Sequence, residues 1–400
     1  MKFLLSLIYL LLFVNGLICQ DSLFRKKKLT TIDIEVFYSF YDQDGNHSAV
    51  TGGEGTEKLM VNDFGLNFGL TVDTSHTIIF ETYVDIISSA SVDNIDFIRS
   101  SASEHDNHIS LQVGYQYQSK KAPFLLGAKY LFGLESDYLS NGFNIWGSLT
   151  SKDFTRNLSL SIICYFDDLR WGRFSEAADY KPTTLVYPVE LRYKQWFDIY
   201  RRNTYNVNAG FRQDINKHIS LQFDLSLIYQ QGLISTSFHR IFFYDSDSGV
   251  VENLPRQRIQ VPVGIGLNSF ITNHWILKAY YRFYWDDLGI TAHTLTLESP
   301  IKINYKYTLY PFVRYYQQTS SVYFKPFKEH SAKDEFFTSD YDLSGFSSYK
   351  AGIGFGFYPD KRFGRSRWSF NNIVFRYAYY WRTDKLKAHM ISLLFNIWKG

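Results

Sequence analysis

Apolar and polar side chains alternate with a period of two along most of this chain. In the segment 218–231 every second residue is apolar, and these residues are Ile219, Leu221, Phe223, Leu225, Leu227 and Tyr229. The intervening residues from His218 to Ser226 are polar. Successive side chains of a β-strand point to opposite faces, so this pattern predicts a strand with one apolar and one polar face.

The length of the alternating segments indicates what the apolar face contacts. Trp275 and Trp285 lie on the same predicted face and are separated by about 33 Å at roughly 3.3 Å per residue. A strand tilt of about 40–45° reduces this span to about 23–25 Å, which matches the apolar band of an outer-membrane barrel with its aromatic girdles. Strands of a soluble sandwich are typically about five or six residues long, and the predicted segments are about twice that length.

The alternation predicts about sixteen such strands, within a range of about 14–18. They are approximately residues 30–41, 58–72, 76–90, 107–118, 124–135, 142–151, 157–169, 204–214, 218–231, 257–271, 275–287, 291–303, 307–318, 347–359, 367–381 and 387–398. The segment 185–197 also alternates. Counting it as a strand would place the turn Asp214–Lys217 at the wrong end of a barrel, so it is assigned to a loop.

Short turns and long polar loops follow one another along the chain. The short turns are Asp73–Ser75, Ser119–Ala122, Asp214–Lys217 and Thr272–Asn273. The long loops are residues 42–57, 91–106, 170–203, 232–256 and 319–346. Outer-membrane barrels have short periplasmic turns and long extracellular loops. Because lipid offers no hydrogen-bond partners, strand edges must pair with one another, so the predicted fold is all-β: a closed antiparallel transmembrane β-barrel of about sixteen strands.

Charged residues of both signs fall on the predicted inner face. They include Asp33, Glu35, Asp224, Lys278, Arg282 and Asp286. Charges at this depth are tolerated where they face water or one another, so a polar lumen is expected. Asp286 is predicted to pair with Arg282, four residues earlier on the same face. Asp287 and Gly289 are predicted to form the tight turn after this strand.

Residues 1–19 are predicted to be a secretory signal peptide, and residues 20–400 to be the barrel with its long extracellular loops. A short positive region and an apolar region precede two candidate cleavage sites, after Gly16 and after Cys19. Cleavage after Cys19 leaves Cys164 as the remaining cysteine, so no intramolecular disulfide is expected. The predicted location is the bacterial outer membrane.

The composition excludes two broad classes of protein. The 42 Lys and Arg residues nearly balance the 39 Asp and Glu residues, and the formal net charge is +3. This balance does not favour a protein that binds nucleic acid by electrostatics. With 35 Phe, 31 Tyr and 8 Trp, the chain is too rich in order-forming residues to be disordered.

The segment 237–297 carries long, ordered motifs. They include the pair His239–Arg240, the residues Glu252, Pro255, Arg256 and Arg258, and, within 281–294, the residues Tyr281, Arg282, Asp286, Asp287, Gly289, Ile290, Ala292, His293 and Thr294. With these motifs the chain resembles an uncharacterised family of outer-membrane β-barrel proteins that is common in Bacteroidota and is described as a domain of unknown function. The resemblance implies an outer-membrane barrel, and it implies no substrate or activity.

Three loops contain residues that bind metals in other proteins. Asp42–His47 resembles the start of a calcium loop, but the twelfth position, where a bidentate Glu is needed, is Gly53. Glu104–His108 combines carboxylates with imidazoles, without a third firm ligand at hairpin spacing. A third loop is acidic, with Asp334, Glu335, Asp340 and Asp342 as candidates for calcium or for bridging to lipopolysaccharide. Solvated polar loops are favoured in each case, so no metal is predicted.

Sequence signatures of a nucleophilic enzyme are absent, because the chain contains neither GxSxG nor CxxC. Asp286 and Asp287 point to opposite faces of a strand and do not form a catalytic dyad. His293 near Asp287 is the closest approach to an acid–base site. The glycines Gly352, Gly354 and Gly356 share one face, which predicts a flat patch against which a plug, a neighbouring barrel or a lumen side chain packs.

The sequence therefore favours a non-enzymatic component of the cell envelope, acting either as a scaffold for partner proteins or as a pore. The alternative is an outer-membrane enzyme that acts on lipid or surface glycan. Expected partners are outer-membrane lipid, lipopolysaccharide and periplasmic or surface envelope proteins, and no nucleic acid. No catalytic or cofactor-binding residue is predicted, and the candidates for lumen or rim function are Arg240, Arg256, Arg282, Asp286, Asp287 and His293.

Overall fold

The computed structural model describes residues 30–88, 106–120, 122–135, 139–169, 200–236, 239–246, 249–359, 361–362 and 367–399. The strands in these ranges are β1 (Thr30–Asp44), β2 (Leu59–Val72), β3 (His76–Ser88), β4 (Asp106–Gln118), β5 (Phe124–Leu134), β6 (Leu139–Thr150), β7 (Arg156–Asp168), β8 (Arg201–Asp214), β9 (Ile219–Gly232), β10 (Arg240–Phe242), β11 (Gly249–Val251), β12 (Gln257–Phe270), β13 (Ile276–Asp286), β14 (Thr291–Glu298), β15 (Ile301–Lys302), β16 (Tyr307–Gln318), β17 (Phe346–Phe357), β18 (Lys361–Arg362), β19 (Trp368–Arg382) and β20 (Lys387–Lys399). Two short 3-10 helices, Ala49–Thr51 and Tyr341–Leu343, lie in loops. The predicted signal peptide 1–19 and the segment 185–197 lie outside the described residues.

Antiparallel pairing closes the sheet into a barrel. Each long strand pairs with the next one along the wall, and β1 pairs with both β2 and β20. Strand β15 follows β14 and pairs with the same strand, β16, and β18 follows β17 and pairs with the same strand, β19. When each of these two segments is counted with the strand that it follows, the described residues form a closed antiparallel wall of 16 strands. Strands β10 and β11 form a separate hairpin in a loop. The predicted fold class and strand number are confirmed.

One predicted strand is interrupted. Residues 291–303 were expected to be continuous, but β14 ends at Glu298 and β15 begins at Ile301. Pro300 lies in the gap, and proline has no N–H group to donate to a neighbouring strand. The β10–β11 hairpin was not predicted, because three-residue strands are too short for alternation to reveal them.

The outer surface of the wall is apolar. Outward side chains such as Phe64, Leu160, Leu227 and Ile353 expose 49%, 52%, 52% and 50% of their area. A soluble protein rarely exposes contiguous apolar surface of this extent, whereas a lipid-facing barrel requires it. The closed wall also leaves no unpaired strand edge in lipid. The chain is therefore an outer-membrane β-barrel. Within the described residues, no helix is long and apolar enough to cross a bilayer.

The two ends of the barrel differ as predicted. One end carries short turns, several of them closed by side chains that accept backbone N–H groups. Asn216 accepts from Ile219, and Asn304 accepts from Tyr307. The other end carries the long loops, and we name the two ends periplasmic and extracellular after the general pattern of outer-membrane barrels. We call the packed part of the extracellular end the cap, which consists of loops 45–58, 233–256 and 319–345.

Candidate functional site

Acidic side chains line one arc of the inner wall. Strands β1, β2 and β3 contain no Lys or Arg. Their inward acidic residues are Asp33, Glu35, Asp63, Glu81 and Asp85. The inward direction follows from alternation, since outward neighbours such as Val36 and Phe64 are exposed to the lipid side.

Basic side chains line a second arc, formed by β13, β14, β16, β17 and β19. Its inward basic residues are Lys278, Arg282, Arg314, Lys350 and Arg376 along the lumen, and Arg382 at the rim. The acidic residues in these five strands are Asp286 and Glu298. Segregated charges of opposite sign create a field across a lumen and select solutes by charge.

Ion pairs hold several of these side chains against the wall. Glu298 accepts from Lys278 at 3.3 Å and from Arg376 at 2.9 Å. On the acidic arc, Lys129 reaches Glu81 at 3.0 Å. These five charged side chains are therefore held to neighbouring side chains of the wall.

Glycines provide the space for this arrangement. A Cβ atom added to Gly264 would lie 2.1 Å from the hydroxyl oxygen of Tyr280. A Cβ atom on Gly354 would lie 3.0 Å from Cγ of Arg376 and 3.1 Å from Cβ of Tyr310. The sequence predicts that a plug, a neighbouring barrel or a lumen side chain packs on the glycine face of β17, and in the structure lumen side chains do so.

Solvent exposure of charged groups falls sharply toward the extracellular rim. The side chains of Lys278 and Arg376 in the lumen are 48% and 37% exposed. Those of Arg258 and Asp286 near the rim are 2% and 0% exposed. Charged side chains are therefore accessible to solvent at the level of Lys278 and Arg376 and are covered at the level of Arg258 and Asp286.

A buried polar network surrounds Asp286. Arg258 Nε donates to Asp286 Oδ2 at 3.1 Å, and the Tyr284 hydroxyl donates to the same oxygen at 2.9 Å. The backbone N–H of Ile290 donates to Oδ1 at 2.9 Å. The predicted pairing of Asp286 with Arg282 is therefore wrong. Four residues along a strand span about 13 Å, whereas Arg258 lies on the adjacent strand β12.

The cap is fastened to the rim by Arg382 at the end of β19. Its guanidinium contacts the carboxylates of Asp342 and Asp384, donates to the carbonyl oxygen of Tyr341 at 3.0 Å, and lies 3.8 Å from the ring centre of Phe346. A second fastening is a hydrogen bond of 2.9 Å from the Ser321 hydroxyl to the carbonyl oxygen of Leu288.

The three cap loops also contact each other closely. The rings of His47 and Tyr341 stack with 3.7 Å between their centres. Gly53 has a φ angle of +93°, and an added Cβ would lie 2.8 Å from the carbonyl oxygen of Ser339. Gly52 packs in the same way against Phe242. The cap is thus one packed unit instead of three independent loops.

The candidate rim residues occupy different environments. Arg240 is buried in the cap on β10, and Arg256 is exposed just before β12. Asp287 accepts the backbone N–H of Ile259 at 3.0 Å. With Gly289 at a φ angle of +89°, Asp287 forms the predicted turn after β13.

His293 and Arg282 point in opposite directions. Arg282 faces the lumen as predicted, on the basic arc. His293 lies on the outer face, where its Nδ1 is 2.7 Å from the hydroxyl of Tyr281. His293 therefore does not share a face with the lumen candidates Arg282 and Asp286.

Residues of the loops considered for metals contact other protein groups. His47 Nδ1 lies 3.0 Å from the carbonyl oxygen of Gly53, and His108 Nδ1 lies 3.0 Å from Asp85. Glu104 and His105 lie outside the described residues. Asp334 pairs with Lys325 at 2.7 Å.

Asp340, from the same acidic loop, lies beside His239 and Glu252. Sequence spacing gave no signal for this group, because its members come from two loops on either side of the strands β12–β16. In the described part of the chain, His239, Glu252 and Asp340 are the three side chains that lie close enough together to hold a metal ion.

Comparisons with known proteins agree with the barrel architecture. A family model described as "Protein of unknown function (DUF3570)" matches residues 53–390. No curated protein matches the chain.

Several solved structures are similar in overall form. One, described as "Bacterial polysaccharide outer membrane secretin", has a TM-score of 0.49 and 8% identity, covering 92% of this chain and 98% of that chain. OccK1 (OpdK) of Pseudomonas aeruginosa has a TM-score of 0.40 and 8% identity, with coverage of 92% and 98%. A BenF-like porin from Pseudomonas fluorescens Pf-5 has a TM-score of 0.42 and 8% identity, with coverage of 93% and 99%. No conclusion about substrate or residues follows from similarities of this size.

Proposed function

The chain belongs to the DUF3570 family of proteins of unknown function, and we propose that it is a gated pore of the outer membrane. The observation that carries this proposal is the set of solvent-accessible charged side chains on the inner wall, with opposite signs separated onto two arcs beneath a packed extracellular cap. A barrel that served only as a solid scaffold would gain stability by filling its interior with packed side chains.

The position of the charges supports passage of small polar solutes. Side chains held against the wall leave room along the axis, and a transverse field orients dipolar or zwitterionic molecules. The cap is fastened to the rim at the extracellular end of the described structure, and in this proposal passage requires the cap to loosen. A variant of Arg382 gives the most direct test of cap loosening, because the guanidinium of Arg382 joins loop 319–345 to the rim.

The first experiment compares single-channel currents of the wild type and Arg382→Ala in planar bilayers. We expect the variant to have a higher open probability, because it removes the contacts with Asp342 and Tyr341. Arg212→Ala is the matched control, since Arg212 forms a solvent-exposed ion pair near the periplasmic turn. If neither the wild type nor Arg382→Ala conducts, the pore proposal is wrong.

The second experiment tests the basic arc. Lys278→Glu reverses a charge that is 48% exposed inside the lumen, so the reversal potential in a salt gradient should shift toward cation selectivity. Lys217→Glu makes the same charge change in an exposed periplasmic turn and should shift it much less. Equal shifts in both variants would show that the lumen charges do not set selectivity.

The proposed role does not include catalysis. The enzyme alternative depends on His293, which faces outward and contacts Tyr281. We expect purified protein and His293→Ala to show the same background rate of lipid hydrolysis. Hydrolysis that is present in the wild type and lost in the variant would favour the enzyme. The expected Bacteroidota source and the expected envelope partners stay predictions.

A further inference from the structure

Three ligand-type side chains meet inside the cap, away from the lumen wall. His239 lies just before β10, Glu252 lies just after β11, and Asp340 lies in the loop between β16 and β17. The Nδ1 atom of His239 is 3.6 Å from Glu252 Oε1 and 3.6 Å from Asp340 Oδ2. All three ligand atoms lie within 4.8 Å of one another.

The imidazole of His239 is buried and points its Nδ1 atom at both carboxylates. His239 exposes 8% of its surface and Glu252 exposes 5%. His239 Nδ1 has no hydrogen-bond partner in the described structure. At 3.6 Å, both carboxylates are too far for a hydrogen bond, and a buried polar atom without a partner is costly.

Both carboxylates are held in place by other groups. Glu252 Oε2 accepts the backbone N–H of Thr236 at 2.7 Å, and Oε1 accepts the hydroxyl of Thr338. Asp340 Oδ1 accepts the backbone N–H of Asp342 at 2.9 Å, which leaves Oδ2 facing His239. Contacts of this kind fix the orientation of metal ligands in proteins.

The cluster places two carboxylates beside one imidazole, and the guanidinium of Arg382 is a cation that acts on Asp340 from outside it. Even with a protonated imidazole, the three groups sum to −1 when both carboxylates are ionised. A divalent cation bound by a neutral imidazole and two carboxylates gives a sum of zero, and buried charge is tolerated best when it is compensated.

The separations of the ligand atoms indicate the class of metal. Zinc binds nitrogen and oxygen ligands at about 2.0–2.2 Å in tetrahedral sites, which places neighbouring ligand atoms about 3.3 Å apart. The observed separations of 3.6 Å are slightly longer. Calcium and magnesium prefer oxygen ligands, so an imidazole favours zinc or a similar first-row ion.

We propose that His239, Glu252 and Asp340 form a binding site for a divalent first-row metal ion, preferentially Zn²⁺. The ion joins loop 233–256 to loop 319–345, and a water molecule completes its tetrahedral coordination. The site is independent of the pore proposal, because binding to the cap does not require conduction.

Isothermal titration calorimetry of the full-length, untagged protein in detergent, after dialysis against EDTA, tests this site. We expect wild-type protein to bind one equivalent of Zn²⁺. His239→Gln and Asp340→Asn should each weaken binding by more than about 100-fold, since loss of a ligand exceeds the 10–100-fold effect of an outer contact. Asp334→Asn is the matched control in the same loop, and it should bind Zn²⁺ as the wild type does.

X-ray absorption of the zinc-loaded wild type keeps the proposal testable if the ligand variants fail to fold. We expect one imidazole ligand, with oxygen atoms filling the remaining positions. Absence of saturable binding would show that these three side chains do not form a metal site. Binding retained in both ligand variants, or a spectrum with several imidazoles, would equally overturn the assignment.

Discussion

The two ends of this barrel satisfy their backbone and charged groups by different means. At the periplasmic end, described turns such as those at Asn216 and Asn304 bind backbone N–H groups with their own side chains, and the ion pair of Arg212 and Asp214 at 3.0 Å is exposed. At the extracellular end, the ion pair of Arg258 and Asp286 is buried and connects residues far apart in sequence. Local turns fail one at a time, whereas a network of buried charges fails as a unit.

The largest difference between the two ends should appear when one carboxylate is removed from each. Asp286→Ala leaves Arg258 buried beside Tyr284 without its carboxylate partner. We expect this change to lower the free energy of unfolding by about 3–5 kcal/mol. Asp214→Ala should change it very little, because the ion pair is exposed to solvent.

Denaturant unfolding in detergent micelles, followed by circular dichroism, measures both variants. Asp286→Asn is a useful intermediate, since it keeps the shape of the side chain and removes its charge. Similar losses for Asp286→Ala and Asp214→Ala would contradict the distinction between buried and exposed ends.

Backbone conformation offers a second test, with a smaller expected effect. Gly53 in the cap has a φ angle of +93° and lies against the carbonyl oxygen of Ser339. Gly53→Ala introduces both conformational strain and a close contact, so we expect it to destabilise the cap by about 1–3 kcal/mol. Hydrogen exchange should show faster exchange in loops 45–58 and 319–345 and unchanged exchange at the periplasmic turns. Unchanged protection of the cap loops would mean that the loops are not packed as one unit.

The periplasmic end has positive φ angles without glycine. Asp73 and Thr74 both have a φ angle of +59° in the turn between β2 and β3. This conformation is unfavourable for a β-branched residue, so Thr74→Gly should stabilise the protein by up to about 1 kcal/mol. The midpoint of unfolding in denaturant measures this gain. A loss of stability would show that the hydroxyl of Thr74, which bonds to the carbonyl oxygen of Asp73, outweighs the strain.

The contrast between the two ends also explains which features the sequence revealed. Alternation predicted the wall, because the face of each strand residue depends only on its neighbours, and the turns at Asp73–Ser75 and Asp214–Lys217 were found for the same reason. Alternation identifies the face on which Asp286 lies but not its neighbour on the next strand. The sequence therefore predicts an ion pair with Arg282, whereas the structure shows one with Arg258. The cluster of His239 and Asp340 depends on contacts between distant loops, which no local pattern encodes.

The smallest effect concerns the titration of one carboxyl group at each end. Hydrogen bonds from Ser151 and Thr155 lower the pKa of Asp153, in the turn between β6 and β7, to about 2. Burial raises the pKa of Glu57 in the cap above its usual 4.5, despite a backbone hydrogen bond from His47 that lowers it. Carboxyl-selective NMR of the folded protein in micelles measures both midpoints, and we expect them to move in opposite directions.

The sign of each shift sets how stability depends on pH. Asp153 has a lower pKa when folded, so its contribution is present above the unfolded value of 3.8 and is lost as pH falls toward about 2. Glu57 has a higher pKa when folded, so its contribution is present below 4.5 and is lost as pH rises through the folded value. Asp153→Asn should therefore remove the loss of stability that occurs as pH falls, and this change should be confined to its turn. Glu57→Gln should remove the loss of stability that occurs as pH rises, and this change should include the cap. If both groups titrate below their ordinary values, Glu57 is solvated in solution, and the cap is packed more loosely than its contacts indicate.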